Sequence, residues 1–203
     1  MSVAQWFKPQ SLLHIPRHKI RGKQLISTCF FAIGSSLLAY VGGSYAWMYH
    51  RQHALMKQWQ EQNEVAQSLT TNDIGLTRLA IPAIHLDVVI AEGTSARSLA
   101  LGPGHLTNTA VPGDAGNAVI AAHRDTFFRH IADLKVGDDI YVQRNGRRYH
   151  YVVSGRKIVS PEDLSVLSSS TESRITLITC YPTHFVGPAP KRLIVIAKLV
   201  RSV

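Results

Sequence analysis

The run Arg174-Ile175-Thr176-Leu177-Ile178-Thr179-Cys180-Tyr181-Pro182 decides how this chain reads. Ile175, Leu177 and Thr179 alternate with Thr176, Ile178 and Cys180, the pattern of a short strand buried on both faces. Pro182 has no N–H to give to a ladder, so the strand stops there. A cysteine at a strand's end has one edge packed and one edge open to a cleft. Twelve residues on, Arg192 opens a second apolar run, Leu193-Ile194-Val195-Ile196-Ala197. A short return loop lays the two runs side by side and predicts neighbouring ends for Cys180 and Arg192. Cysteine is most often a small core residue, so this stretch alone leaves open whether Cys180 packs or reacts.

The 203 residues suffice for one compact domain with a true core. Their apolar content is unevenly spread. From Leu25 to Tyr49 there is no charged residue, whereas the first 24 residues carry Lys8, Arg17, Lys19, Arg21 and Lys23 and no acid. The apolar run matches the length of a bilayer-spanning helix. A cleaved signal peptide is the competing reading, but its apolar region is normally about 7–15 residues long and ends in small residues. Here the run is longer and ends in Trp47-Met48-Tyr49, aromatics suited to a membrane interface. An uncleaved, single-pass anchor is the expectation. The five basic residues before it, against Arg51 and Lys57 just after, put the N-terminus in the cytoplasm and the rest in the periplasm or at the cell surface. The expected organisation is a cytoplasmic basic segment at 1–24, an anchor in the inner or plasma membrane at 25–49, a helical stalk at 50–73 and a globular domain at 74–203.

From Ile74 onward there are 15 Lys and Arg against 10 Asp and Glu, a moderate excess within the chain's net charge of +9. A nucleic-acid surface does not suit an exported domain. Anionic lipid headgroups or cell-wall polymer are the more natural counterparts. Cys29 lies inside the expected span, which leaves Cys180 the sole cysteine of the exported domain. Exported proteins usually pair their cysteines, so a lone thiol there favours the reactive reading of Cys180.

Residues 51–70 contain no Gly or Pro and read as a helical extension of the anchor, broken at Thr70-Thr71-Asn72-Asp73. Beyond Ile74, short apolar runs alternate with turn residues. Leu76–Ile81 and Leu86–Ile90 read as strands, Ser95–Leu101 as one or two helical turns and Gly102–His105 as loop. Ala118–Ala122 is a small-residue strand leading directly to His123. Phe127, Phe128, Ile131 and Leu134 have a helix-like spacing within 126–134, with Asp125 or Thr126 as cap. Asn145-Gly146 between two β-prone runs is the strongest short hairpin signal, because both turn positions need positive φ. Tyr149, Tyr151 and Val153 share one face of the strand that follows. Seven or eight strands, two brief helices and no βαβ rhythm favour a closed or nearly closed β-barrel.

No HExxH, CxxC or His-x-His cluster occurs, so neither a metal nor any other cofactor is expected, and no glycine loop for phosphate is present. Nucleophilic catalysis has specific needs. A free thiol is mostly protonated at neutral pH and requires a nearby base or cation. Among the exported histidines, His123 stands out because a strand delivers it, as a strand delivers Cys180. His105, His130, His150 and His184 fall in loops, a helix or a strand middle, where surface or packing roles are the default. An anionic tetrahedral intermediate needs stabilisation, and the planar, permanently charged fork of Arg192 is the natural candidate.

These residues carry a resemblance. Thr176-Leu177-Ile178-Thr179-Cys180 followed by Arg192 resembles the TLxTC…R signature of the sortases. Leu79-Ala80-Ile81-Pro82-Ala83-Ile84 resembles that family's first-strand element. Gly102-Pro103-Gly104-His105 with Pro112–Asn117 resembles its glycine-rich approach to the histidine. Ala122-His123-Arg124-Asp125-Thr126-Phe127-Phe128 resembles its GHRDT-x-F segment. The resemblance covers roughly residues 74–200 with the blocks in order. It implies an all-β fold, an eight-stranded sortase-type barrel with short helices behind the N-terminal transmembrane helix, and a cysteine transpeptidase. By matching position, Cys180 is the implied nucleophile, His123 the acid/base and Arg192 the group that holds substrate and oxyanion, with Thr179 helping to line the site. The implied substrate is a secreted protein with an LPxTG-like C-terminal signal, and the acceptor an amine of the cell envelope. Ala122 departs from the family's usual glycine. The short Cys180–Arg192 connection is closest to class D-like sortases and their Gram-negative relatives. A non-catalytic anchored barrel that binds a partner or wall polymer, and a hydrolytic cysteine peptidase with the same site, stay open as alternatives.

Overall fold

A computed structural model describes residues 22–68, 76–185 and 187–202. The expectations for the basic N-terminus up to residue 21 and for the helix break at 70–73 lie outside the described residues. The chain divides into two compact units, up to Ser44 and from Tyr45 onward. The stretch read as span and the described part of the stalk, 50–68, belong to one continuous helix, α1, Gly22–Ser68. It holds a segment long and apolar enough to cross a membrane. In the first unit its apolar side chains, Phe30, Phe31, Leu37 and Leu38 among them, are exposed. A helix apolar on all sides is suited to lipid rather than to one protein face.

In the second unit the later part of α1 packs on a barrel. Gln52 Nε2 donates to Leu101 O at 2.5 Å, its Oε1 accepts from Val89 N at 3.2 Å, and Trp59 is buried beneath the guanidinium of Arg78. The strands are β1 Thr77–Ile81, β2 Leu86–Glu92, β3 Gly104–His105, β4 Asn117–Ala121, β5 Asp139–Arg144, β6 Arg147–Val159, β7 Arg174–Tyr181 and β8 Lys191–Ser202. They close into an eight-stranded barrel in the order β1-β2-β3-β4-β7-β8-β6-β5. The barrel is mixed: β2/β3 and β4/β7 run parallel and the other neighbours antiparallel. Alternate residues of each strand point inward, and Leu79, Ile120, Val142, Tyr151, Leu177 and Val195 meet in one core. Tyr149, Tyr151 and Val153 share that inner face, as their spacing predicts. Asn145 and Gly146 both have positive φ, 50° and 74°, and close the β5–β6 hairpin.

Two local expectations fail for physical reasons. Residues 126–134 form turns and a single 3₁₀ turn, Ile131–Asp133, instead of an α-helix. Phe128, Ile131 and Leu134 are fully buried and lie three apart, a spacing that a 3₁₀ turn satisfies as well as an α-helix does. Gly102–His105 is not all loop. Gly104 and His105 form β3, which bridges β2 and β4. The short helix α2, Ala96–Leu101, is capped by Ser95, whose hydroxyl accepts from Ser98 N at 3.1 Å.

Candidate active site

Cys180 sits on the penultimate residue of β7 and pairs directly with Arg192, the second residue of β8. Directly opposed residues of an antiparallel pair share a face, with Cα atoms about 4.5–5.5 Å apart. Their neighbours Thr179 and Leu193 are buried, so Cys180 and Arg192 project from the outer face, each half-buried. β8 is flanked on its other side by β6, and Arg192 also pairs with Val159.

His123 arrives from β4, which runs parallel to β7 with Ala121 level with Ile178. The ladder continues one step further, since Ala122 N donates to Ile178 O at 3.2 Å. Thr179 is buried, and its hydroxyl donates to Ala122 O at 2.7 Å. Its resolved contact therefore ties β7 to the strand that delivers His123. His123 follows at once, exposed to solvent, and its carbonyl accepts from Phe128 N at 3.1 Å, closing the turn. Two parallel backbone segments thus lead into His123 and Cys180, and Cys180 pairs across the ladder with Arg192.

Arg192 Nη1 donates to the carbonyls of Lys191 at 3.0 Å and Ala189 at 3.3 Å. Glu162, in the β6–β7 connection, has its carboxyl held below the usual carboxylate range. The Ser160 hydroxyl bonded to it is the main cause, and the charge of Arg192 contributes. Among the other histidines, His105 is buried with its ring nitrogens 3.0 Å from Glu92 Oε2 and 2.9 Å from Ala110 O. His130 lies 3.2 Å from Asp133. His150 lies 2.7 Å from Asp139 and stacks on Tyr141. Among the described residues no group of three or more His, Cys, Asp or Glu is arranged to hold a metal ion.

Two residues quoted within the sequence blocks were given no role there. Arg124 donates from Nη1 to Pro182 O at 2.9 Å and from Nη2 to Gly187 O at 2.5 Å, with its guanidinium 5.8 Å from the Phe185 ring centroid. Its adjacency to His123 within the GHRDT-x-F-like segment was its signal. Asn117, buried at the start of β4, donates to Val166 O and Ser168 O and so holds the β6–β7 connection. A polar residue opening an otherwise apolar strand is a weak signal for such a role.

The Sortase domain family matches residues 79–200, more than half of the chain. The chain belongs to the sortase family. This sortase is similar to Sortase D of Bacillus subtilis (strain 168), with 37% identity over 123 residues, covering 60% of this chain and 62% of that protein. It is also similar to Sortase A of Bacillus anthracis, with 31% identity over 141 residues, 68% of this chain and 65% of that one. The match thus spans less than two thirds of either relative. Among solved structures, a Clostridium perfringens Sortase D5 transpeptidase superposes with a TM-score of 0.65 at 30% identity, covering 75% of this chain and 99% of that one. Sortase C-1 of Actinomyces oris gives a TM-score of 0.58 at 27% identity, covering 73% and 99%. The eight-stranded barrel implied by the resemblance is the sortase fold, and the long apolar helix before it is consistent with a membrane anchor.

Proposed function

We propose that this sortase is a membrane-anchored cysteine transpeptidase of class D-like type. Its N-terminus lies in the cytoplasm, its span at 25–49, and its barrel from residue 74 outside the membrane, joined by a stalk at 50–73. The observation that carries the reading is the half-exposed Cys180 directly opposite Arg192, next to the strand end that leads into His123. The substrate is a secreted protein with an LPxTG-like C-terminal signal, and the acceptor is an amine of the cell envelope.

The Cys180 thiolate attacks the threonine carbonyl, and a C–S bond forms as the carbonyl oxygen takes the negative charge. Arg192 stabilises that oxyanion through the N–H groups of its guanidinium. Collapse breaks the C–N bond, and His123 gives its proton to the leaving amine. The acceptor amine then attacks the thioacyl-enzyme, His123 takes its proton, and the new amide leaves Cys180 as thiolate. Thr179 acts from beneath by fixing the backbone at Ala122.

Incubating the detergent-solubilised full chain with a Leu-Pro-x-Thr-Gly peptide and a small primary amine tests this reading. The expected result is a thioester on Cys180 by mass spectrometry and amide product that rises with amine concentration. Cys180→Ala removes both. Arg192→Ala lowers kcat by about 10²–10³-fold, the loss seen when an oxyanion donor is removed. An intact peptide with no adduct sinks the enzymatic reading. Acid product independent of the amine points to hydrolysis instead.

A further inference from the structure

We propose that Arg124 is a positioning residue that holds the β7–β8 loop in its working shape while Arg192 is engaged with substrate. This inference rests on the transpeptidase reading of Cys180 and Arg192. Two guanidinium groups bond to backbone carbonyls of the stretch between Cys180 and Arg192. Arg124 donates to the carbonyls of Pro182 and Gly187, and Arg192 donates to those of Ala189 and Lys191. The connection joins the strand end that carries Cys180 to the strand start that carries Arg192. Arg192 holds these carbonyls through Nη1 alone, and an oxyanion that draws its guanidinium competes with them for its N–H groups. Substrate binding then weakens the hold at Ala189 at the moment when the geometry around the sulfur matters most.

Arg124 remains as the second clamp. It projects from the turn that His123 begins, a turn closed by the bond from Phe128 N to His123 O. The His123 turn and the loop between Cys180 and Arg192 are therefore joined by one side chain. The contact is forked: two separate nitrogens reach carbonyls five residues apart, and the Phe185 ring lies beside the guanidinium. A lysine offers a single ammonium and reproduces neither the planar fork nor the stacking. Arg124 does not touch the reacting atoms, so its loss acts through the loop.

Arg124→Lys and Arg124→Ala in the detergent-solubilised full chain test the proposal through three readouts. With the Leu-Pro-x-Thr-Gly peptide and a small primary amine, both variants should lose about tenfold or more in kcat with KM within about threefold, because a misplacement near 1 Å costs up to about 10²-fold. Alkylation of Cys180 by iodoacetamide needs no oxyanion stabilisation, and its rate should stay within about twofold of the parent. Backbone amide NMR order parameters at His184, Phe185 and Gly187 should fall below about 0.6 while those at Leu79 and Val142 in the barrel are unchanged. Parental kcat and order parameters in Arg124→Lys overturn the clamp. So does a kcat loss matched by equal losses in alkylation and thermal stability, which marks general unfolding. If the parent protein forms no acyl-enzyme, the transpeptidase reading has failed on its own account. The order parameters then judge the clamp alone: a fall in the loop upholds it and unchanged values refute it.

Discussion

Replacing Asn117 with alanine should be among the most damaging single changes in the barrel. Asn117 is 2% exposed and Thr176, beside it on β7, is 1% exposed. Asn117 Nδ2 donates to Val166 O at 3.0 Å and Ser168 O at 3.1 Å, and its Oδ1 accepts from Thr176 Oγ1 at 2.6 Å. Each of these three bonds contributes about 1 kcal/mol net, and stranding the buried Thr176 hydroxyl costs a further ~1–3 kcal/mol. The loss comes to roughly 4–6 kcal/mol, a large part of the ~5–15 kcal/mol that holds a domain folded. At roughly 3 °C per kcal/mol this lowers Tm by about 12–18 °C. Urea and thermal unfolding followed by tryptophan fluorescence report it, since Trp59 is buried against the barrel. Thr176→Val supplies the control. In the double variant both partners of the shortest bond are gone and no stranded hydroxyl remains, so the combined loss should fall short of the sum by about 1 kcal/mol or more. A loss under about 1 kcal/mol for Asn117→Ala, or strict additivity with Thr176→Val, refutes the hydrogen-bond reasoning.

Two further changes probe the wall on which β6 rests. Tyr151 is fully buried, and its hydroxyl accepts from Gly113 N at 2.8 Å. Burial raises its phenol above the ordinary value of 10.0. The unfolded chain therefore ionises first: this group's stabilisation is complete below pH 10 and is lost as pH rises through the higher folded value. Tyr151→Phe should abolish that alkaline loss while costing about 1–3 kcal/mol at neutral pH for the unpaired Gly113 N–H, and urea midpoints measured across the alkaline range check both. Gly113 has φ +104°, and a Cβ there would meet the Tyr149 ring at 2.5 Å. Gly113→Ala should cost about 2 kcal/mol or more in thermal unfolding, and adding Tyr149→Leu should return part of it by removing the ring while the backbone strain stays.

The strands that carry the site were legible because their physics is local. The period-two alternation of 174–180 and the Pro182 stop marked β7, and the twelve-residue return placed Arg192 opposite Cys180. Asn145-Gly146 marked the hairpin because few other pairs take positive φ twice. What escaped was non-local or too short to have a period. β3 has two residues and owes its existence to neighbours on both edges. The parallel pairing of β4 with β7 spans the whole β5–β6 hairpin, which no window of sequence displays. Arg124 and Asn117 act on backbone carbonyls 58 and 49 residues away, and a carbonyl has no letter in the sequence. The 3₁₀ turn at 131–133 misled because its three-residue spacing fits both helix types.

The position of Arg192 is fixed twice over, and this explains why a site built on strand ends holds its shape. β8 lies between β7 and β6, with an unbroken register from Arg174↔Lys198 to Tyr181↔Lys191 on one side. On the other side β6 carries irregularities at His150/Tyr151 and Val153/Gly155, but from Gly155↔Ile196 to Val159↔Arg192 the pairing is regular. The slack is therefore kept away from the end that carries Arg192. A one-residue slip of β8 would turn Leu193, Val195 and Ala197 out of the core and drive Arg192 inward. The same burial that holds the barrel together thus selects the register in which Arg192 stands opposite Cys180. The carbonyls of Ala189 and Lys191 then need only hold the end of its side chain, while Arg124 takes those of Pro182 and Gly187.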